Sequence, residues 1–511
     1  MEALLPEEIR ALDENAEFLG ISRLQLMESA GKGVADAIVR ACPNAKNVII
    51  FAYIGNKGGD GFVAARHLAA SGIHVKVILL AKPDLISSNE ANLNLLALKK
   101  LRFSVNLEIA ATASDLEVHK DDITTADVLV DAMLGTGSRG DLKEPLKVAV
   151  NFCNSSKAMK FSIDIPTGVD PTTGNASEPA FRADMTITHH RPKTGILAKK
   201  AASFIGDLRV IEIGIPPEAE IYAGPGDLRL ALKPKELFSH KGRNGRILVI
   251  GGSSRYVGAP SLAALAALRV GIDLAVVAVP NAIVSSVRAF SPNLIVVPLP
   301  SEEVFDEGCL TAAIEEAEIA DAVVFGMGLG LDEKTKPAVK KFADYLNSSK
   351  KPAVIDADAL RALGGFREKL KLPNCVLTPH SGEFLSLTGT QLPDESEGSW
   401  AGRLDFVKGW ASKLSSTILL KSRFDIITDG CKYKIKTIGN PGMTAGGTGD
   451  VLSGIVGAIM SRGGGPFRSA VAGSFLNSYT GDILAARMGQ RFTAMDIIEE
   501  LPFAMNELGI D

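Results

Sequence analysis

Two tryptophans and six tyrosines in 511 residues leave little aromatic surface on which nucleic-acid bases could stack. Nor is there charge to attract a phosphate backbone. The 55 Lys and Arg stand against 59 Asp and Glu, a net charge of −4 with no long basic block. Nucleic acid is therefore not an expected partner. No run of about 18 uncharged apolar residues occurs, so no membrane span is expected. The N-terminus is acidic and amphipathic, with no basic stretch ahead of an apolar run, and does not read as a signal peptide. The five cysteines, Cys42, Cys153, Cys309, Cys375 and Cys431, are scattered without CxxC or zinc spacing. That usage fits reduced thiols in a cytoplasmic protein. What remains is a composition of 46% apolar and 22% charged residues, typical of a soluble globular protein. The chain is too long for one ordinary core, so two or more domains are expected.

Glycine is what the chain has in plenty, and it is placed after apolar runs. Residues 1–41 read as helices, with an apolar stripe of Leu24, Leu26, Met27, Ala30, Val34, Ala37 and Ile38. A strand is predicted over 47–53, followed at once by I-G-N-K-G-G-D-G. Further strands at 75–80, 128–130, 160–163 and 208–213 alternate with helical stretches. The second runs into D-A-M-L-G-T-G-S-R-G from Asp131, and the third into D-I-P-T-G-V-D from Asp164. Alternation of this kind implies a parallel sheet covered on both faces, with ligands at the carboxyl ends of the strands. The loops at 55–61, 131–141 and 164–170 are then expected to line one crevice. Each brings a carboxylate, Asp60, Asp131 or Asp164. A single such acid is more often a helix cap; three on one edge favour a site, for a ligand or for a cation held by oxygens.

These three loops resemble those of the NAD(P)H-hydrate epimerase family, over about residues 1–217. The resemblance implies substrate contacts on Asn56, Lys57, Gly58, Gly59 and Asp60, on Gly135, Thr136, Gly137, Ser138, Arg139, Gly140 and Asp141, and an acid–base role for Asp164. It also implies a potassium ion held by Asp131 and Thr167. The chain departs from the family at Lys57, where a potassium-binding Asn is usual. A lysine has three donors and no acceptor and cannot ligate a cation. Either its ammonium stands in the cation position and pairs with Asp131, or it points to solvent, or the activity is lost.

Turn residues in I-P-P-E-A-E and A-G-P-G-D mark a break, giving expected domains 1–220 and 226–511. Strands are predicted at 246–250 and 274–279, and others run into G-M-G-L-G (326–330), D-A-D (356–358), T-P-H-S-G-E (378–383) and K-S (421–422). The last loop, N-P-G-M-T-A-G-G-T-G-D, leads into an apolar small-residue helix. Gly446, Gly447 and Gly449 let a backbone approach an anion, and the helix start adds unpaired N–H groups. Asp450 beside that cradle suits a proton acceptor in phosphoryl transfer, though Asp is also a common cap. Lys421 is either a phosphate-reaching charge or an ordinary surface lysine.

In their order these pieces resemble the ribokinase-like NAD(P)H-hydrate dehydratases, over about 227–508. The resemblance implies that hydrated nicotinamide lies near Ala259, Gly328, His380 and Asp450, and an adenine nucleotide near Lys421 and Gly449. The fold class expected is α/β in two domains, an N-terminal Rossmann-like three-layer sandwich and a C-terminal ribokinase-like domain. The function implied is repair of the NADH and NADPH hydrates NADHX and NADPHX, using ADP or ATP with Mg2+, in a homo-oligomer; K+ is in question because of Lys57. The competing readings are a small-molecule hydroxyl kinase and a nucleotide-binding regulator, each with a non-catalytic first half.

Overall fold

The computed structural model describes residues 3–137, 140–236, 238–394 and 400–510. The chain divides into two compact units, Met1–Pro216 and Pro217–Asp511. The division falls before residue 220 because the helix Pro217–Ile221 goes with the second unit. Just after it, the Ala223 N–H donates to the carbonyl of Ile435 on that unit's last strand.

The first unit carries seven parallel strands: β1 (Asn47–Ala52), β2 (His74–Leu79), β3 (Val105–Ile109), β4 (Val128–Ala132), β5 (Met159–Ile163), β6 (Met185–His189) and β7 (Asp207–Ile211). Their order is β3-β2-β1-β4-β5-β6-β7. β1 shows why the central strands read as unbroken apolar runs. Val48, Ile50 and Ala52 enter one core, while Ile49 and Phe51 enter the core on the opposite face. A parallel strand covered on both sides has no polar face to display. Sequence patterning missed β3, an edge strand with Asn106 and Glu108, and β6, whose Thr186 and Thr188 break the apolar run yet are buried. The chain reverses its winding between β1 and β4, so the ends of these two strands open a crevice.

The second unit repeats the principle with nine strands: β8 (Arg246–Ile250), β9 (Leu274–Pro280), β10 (Ile295–Leu299), β11 (Ala322–Phe325), β12 (Ala353–Ile355), β13 (Cys375–Leu377), β14 (Thr417–Leu420), β15 (Asp425–Thr428) and β16 (Tyr433–Lys436). The order is β10-β9-β8-β11-β12-β13-β14-β15-β16, parallel except for antiparallel β15 and β16. Edge strand β10 and the last two strands are further elements that sequence patterning did not predict. The winding reverses between β8 and β11. Both units are therefore α/β, as expected.

Two stretches read as glycine loops are mostly helix. The helix after β1 is Asn56–Ala70, so Gly58, Gly59 and Asp60 lie in its first turns. A Cβ on Gly58 would strike the Tyr53 carbonyl, and one on Gly59 would stand 2.6 Å from the Met27 sulfur. These glycines let the helix seat against its neighbours. Likewise the helix Thr448–Ser461 starts directly after Gly447, which takes φ 93°. Gly454 of this helix faces the backbone of Ala263 in the helix Ala259–Arg269. The change Gly454→Ala forces those two helices apart. We expect it to destabilise the second unit by roughly 1–3 kcal/mol, measured as a lower thermal or denaturant unfolding midpoint.

Candidate active sites at the two strand edges

In the first unit Asp131 stands next to Ala132, the final residue of β4, and is fully buried. An isolated carboxylate there would be costly, and this one is saturated. Its Oδ2 accepts from the Thr167 N–H at 2.8 Å, the Ser162 hydroxyl at 2.9 Å and the Lys57 ammonium at 2.8 Å. Its Oδ1 accepts from the Thr167 hydroxyl at 2.6 Å and the Met133 N–H at 3.1 Å. Lys57 is only 5% exposed. Its Nζ also lies 2.7 Å from the Ile165 carbonyl, 3.2 Å from that of Leu134, and 3.4 Å from both Ser162 Oγ and Thr167 Oγ1. Burial pushes the Lys57 ammonium below its ordinary pKa, and Asp131 opposes that shift.

One turn away, Asp164 follows β5 with φ 63°, a left-handed backbone that is strained for a residue bearing a Cβ. Its carboxylate takes the ammonium of Lys193, which is 1% exposed, and the hydroxyl of Thr188 at 3.2 Å. Burial alone would raise the Asp164 pKa, but Lys193 and His189 outweigh it and bring it down to about 2. The His189 Nδ1 stands 4.0 Å from both Asp164 and Asp60. Burial lowers the His189 pKa to about 4, so the ring is neutral at neutral pH. Its Nε2 is buried and has no hydrogen-bond partner among the described residues. Burial, then Asp164, pushes Asp60 well above the usual carboxylate range.

The structure thus gathers Lys57, Asp60, Asp131, Asp164 and Thr167, from behind β1, β4 and β5. Gly135 lies against the Lys57 side chain. Asn56 is exposed at the start of its helix. Gly140 and Asp141 are exposed, beside a shallow depression of about 220 Å³ shared with Gly168, Val169 and Asp170. Thr136 and Gly137 belong to the same turn, while Ser138 and Arg139 lie outside the described residues. Sequence reading missed Lys193, His189 and Ser162; an isolated lysine or histidine in T-H-H-R-P-K carries no local signal.

The second unit builds its site around Asp356, at the end of β12 and 1% exposed. Asp356 accepts from the Lys421 ammonium at 2.8 Å and the Ser453 hydroxyl at 2.7 Å. Lys421 also lies 3.7 Å from Glu383, whose other oxygen is 3.3 Å from His380 Nε2. Burial works against the Lys421 ammonium, but Asp356 and Glu383 outweigh it and raise its pKa. A Cβ on Gly449 would stand 3.5 Å from that ammonium, so the lysine flanks the glycine turn. The other glycine loop follows β11. Gly326, Gly328 and Gly330 all take positive φ, and Gly326 passes too close to the Asp356 carbonyl to bear a side chain. The Gly330 N–H donates to Asp358 at 2.9 Å, and Gly328 lies against Ala259 and Tyr256.

No side chain caps the helix at Thr448, which leaves its first N–H groups open to an anion. Gly446 has nothing within 4 Å of where a Cβ would stand. Asp450, in the first turn, has its pKa raised to about 7 by burial and then by Asp356. Asp356, Glu383 and Asp358 were not singled out from sequence, although D-A-D and S-G-E contain them. The residues present fit a nucleotide: open amides, a flanking ammonium and room. They do not form a dedicated cage for Mg2+. No group of three metal-ligating side chains occurs among the described residues, and Lys421 occupies Asp356. No described helix is long and apolar enough to cross a membrane.

A seven-stranded and a nine-stranded sheet, each with a buried Asp–Lys pair at its central strand ends, define a two-domain α/β protein. The YjeF-related protein N-terminus family matches residues 23–195, and the NAD(P)H-hydrate dehydratase family matches residues 247–503. A bifunctional NAD(P)H-hydrate repair enzyme of Pyrobaculum aerophilum is 43% identical over 98% of this chain and 98% of its own. One of Archaeoglobus fulgidus is 41% identical over 99% of each. A crystal structure of the ADP/ATP-dependent NAD(P)H-hydrate dehydratase from Bacillus subtilis, co-crystallized with ATP/Mg2+, covers 56% of this chain and 98% of its own, at 23% identity and TM-score 0.46. The chain belongs to the bifunctional NAD(P)H-hydrate repair enzymes, with an epimerase and a dehydratase domain.

The opposed environments of the first site can be tested directly. His189 is expected to stay neutral from mildly acidic to alkaline pH, with imidazole NMR shifts that move only near pH 4. Asp164, held at about 2, adds stability that is present above its ordinary pKa of 3.8 and is lost as pH falls through about 2. Lys193→Met should raise the Asp164 pKa and move that acid loss to higher pH.

Proposed function

We propose that the second unit dehydrates the S hydrates of NADH and NADPH at the expense of ADP or ATP, and that the first interconverts the R and S hydrates. The observation that carries the dehydratase reading is Asp450, a carboxylate near neutral pKa in the first turn of an uncapped helix, beside Lys421. Hydroxide is a poor leaving group. The substrate hydroxyl attacks the terminal phosphorus of the nucleotide, and Asp450 takes its proton. The phosphorus–oxygen bond to the rest of the nucleotide breaks. Open amides at Gly446, Gly447 and Gly449 hold the charge that develops on the phosphate oxygens, and Lys421 adds a fixed positive charge. Phosphate then leaves with the carbon–oxygen electrons, and the adjacent carbon loses a proton, which restores the ring double bond. Magnesium would enter with the nucleotide, since no described set of side chains would hold it, and it would supply charge screening there. Ala259, Gly328 and His380 line the nicotinamide side.

For epimerisation the hydroxyl leaves the carbon next to the ring nitrogen and returns on the other face. The departing hydroxide needs a proton. Asp164 at about 2 is ionised at neutral pH and cannot give one. The buried Lys193 ammonium beside it is the donor, and Asp164 accepts the proton when water returns. A separate family match on each unit and the full-length likeness to bifunctional repair enzymes favour this division over a hydroxyl kinase with an inert partner. A cytoplasmic location and assembly into a homo-oligomer are part of the same proposal; the free, scattered cysteines support the first.

The test follows recovery of NADH absorbance from a mixture of both hydrates with ADP or ATP. Full recovery is expected from the wild type. Asp164→Asn should stop at the S fraction, and Asp450→Asn should lose about 10²–10⁴-fold in rate. Accumulation of a phosphorylated hydrate without NADH would overturn the dehydratase reading. The kcat/KM for dehydration should fall as pH drops through about 7, since Asp450 must be unprotonated. Asp356→Asn removes a neighbouring negative charge and should shift that limb to lower pH.

A further inference from the structure

Potassium is the cation the epimerase resemblance implies, and the residues present do not fit it. The position between Asp131, Leu134, Ser162, Ile165 and Thr167 is filled by the ammonium of Lys57. We propose that Lys57 is a tethered cation: its ammonium replaces a free monovalent ion, makes the first unit's reaction independent of potassium, and positions the Asp164 turn.

Five oxygens face one nitrogen at 2.7–3.4 Å, drawn from two segments, 131–134 and 162–167, at the ends of the paired strands β4 and β5. Two of them are backbone carbonyls and one is a carboxylate oxygen. These three only accept, and the two hydroxyls spend their protons on Asp131, so the shell suits a cation or a group that only donates, such as an ammonium. An ammonium is close in size to potassium and carries the same charge, but it arrives on a four-carbon stem that is itself buried. A second cation in the same shell would meet the first at contact distance.

The shell also reaches the reacting group. Ile165, whose carbonyl takes the shortest bond to Lys57, directly follows Asp164. The turn is tight on both sides: the Asp164 N–H donates to Ile187 at 2.7 Å and the Ile165 N–H to Ile163 at 2.7 Å. The left-handed φ of Asp164 persists only where the surroundings over-determine it. Lys57 ties that turn to Asp131 and to Leu134 in the loop after β4. It is a positioning residue; the reacting proton belongs to Lys193 and Asp164. This inference rests on the reading of the first unit as an epimerase, yet part of its test does not need that activity.

The experiment uses the full chain without nucleotide, so that only the R-to-S ratio changes, followed by chromatography. Potassium chloride is compared with tetramethylammonium chloride at equal ionic strength, and the thermal unfolding of the first unit is recorded in both. The wild type should show the same epimerisation rate and the same transition in each salt. Lys57→Asn, which opens the shell and supplies an acceptor, should lose roughly a hundredfold in kcat with little change in KM. It should regain rate, and show a higher unfolding temperature, with potassium but not with tetramethylammonium. A wild-type rate or transition that rises with potassium overturns the proposal. So does a folded Lys57→Asn protein that keeps its rate or ignores potassium. Should that variant not fold, the wild-type salt comparison decides alone. Failure of the wild type to interconvert the hydrates in either salt would instead sink the epimerase reading, while the unfolding comparison would still test the cation site.

Discussion

Each unit depends on a carboxylate buried at the end of a central parallel strand and neutralised by one lysine. Asp131 near the end of β4 has Lys57, and Asp356 just after β12 has Lys421, both pairs at 2.8 Å. A buried charge without a partner would cost several kcal/mol, so removing either member leaves the other stranded. The pairing also fixes geometry, because each lysine crosses from another strand or helix to reach its aspartate. In the first unit that crossing ties three loops together. In the second it sets an ammonium beside the glycine turn that starts the helix Thr448–Ser461.

The same strand ends hold acids tuned in opposite directions. Asp164 is driven to about 2 because Lys193 and His189 face it. Asp450 is driven to about 7 because burial and a second carboxylate, Asp356, outweigh Lys421. Chemically identical side chains therefore take different tasks. One stays ionised beside a proton donor, and the other is poised to gain and lose a proton at neutral pH. The glycines around them serve two purposes that look alike in sequence. Gly58, Gly59 and Gly454 allow close packing, whereas Gly446 stands in open space and Gly447 takes a φ of 93° at the helix start.

Much of the fold was legible from the chain alone. The central strands announce themselves as apolar runs because both their faces are buried, and the glycine-rich junctions mark where they end. The edge strands β3 and β10 and the threonine-bearing β6 were not legible, since their polarity is compensated only by neighbours distant in sequence. The helix starting at Asn56 was read as a loop because close packing, not turn formation, accounts for its glycines.

The candidate sites divide in the same way. Sequence by itself determined the α/β class, the two units, the strand-end position of Asp131 and Asp164, the helix-start position of Asp450 and the departure at Lys57, because each lies in a local pattern. It could not determine where the Lys57 ammonium goes, that Lys193 meets Asp164, or that Asp356 and Glu383 hold Lys421. Those depend on which strands lie side by side, and a strand order is set by the burial of whole faces. Only the tertiary structure decided which lysine meets Asp131, which meets Asp164 and which meets Asp356 beside the glycine turn.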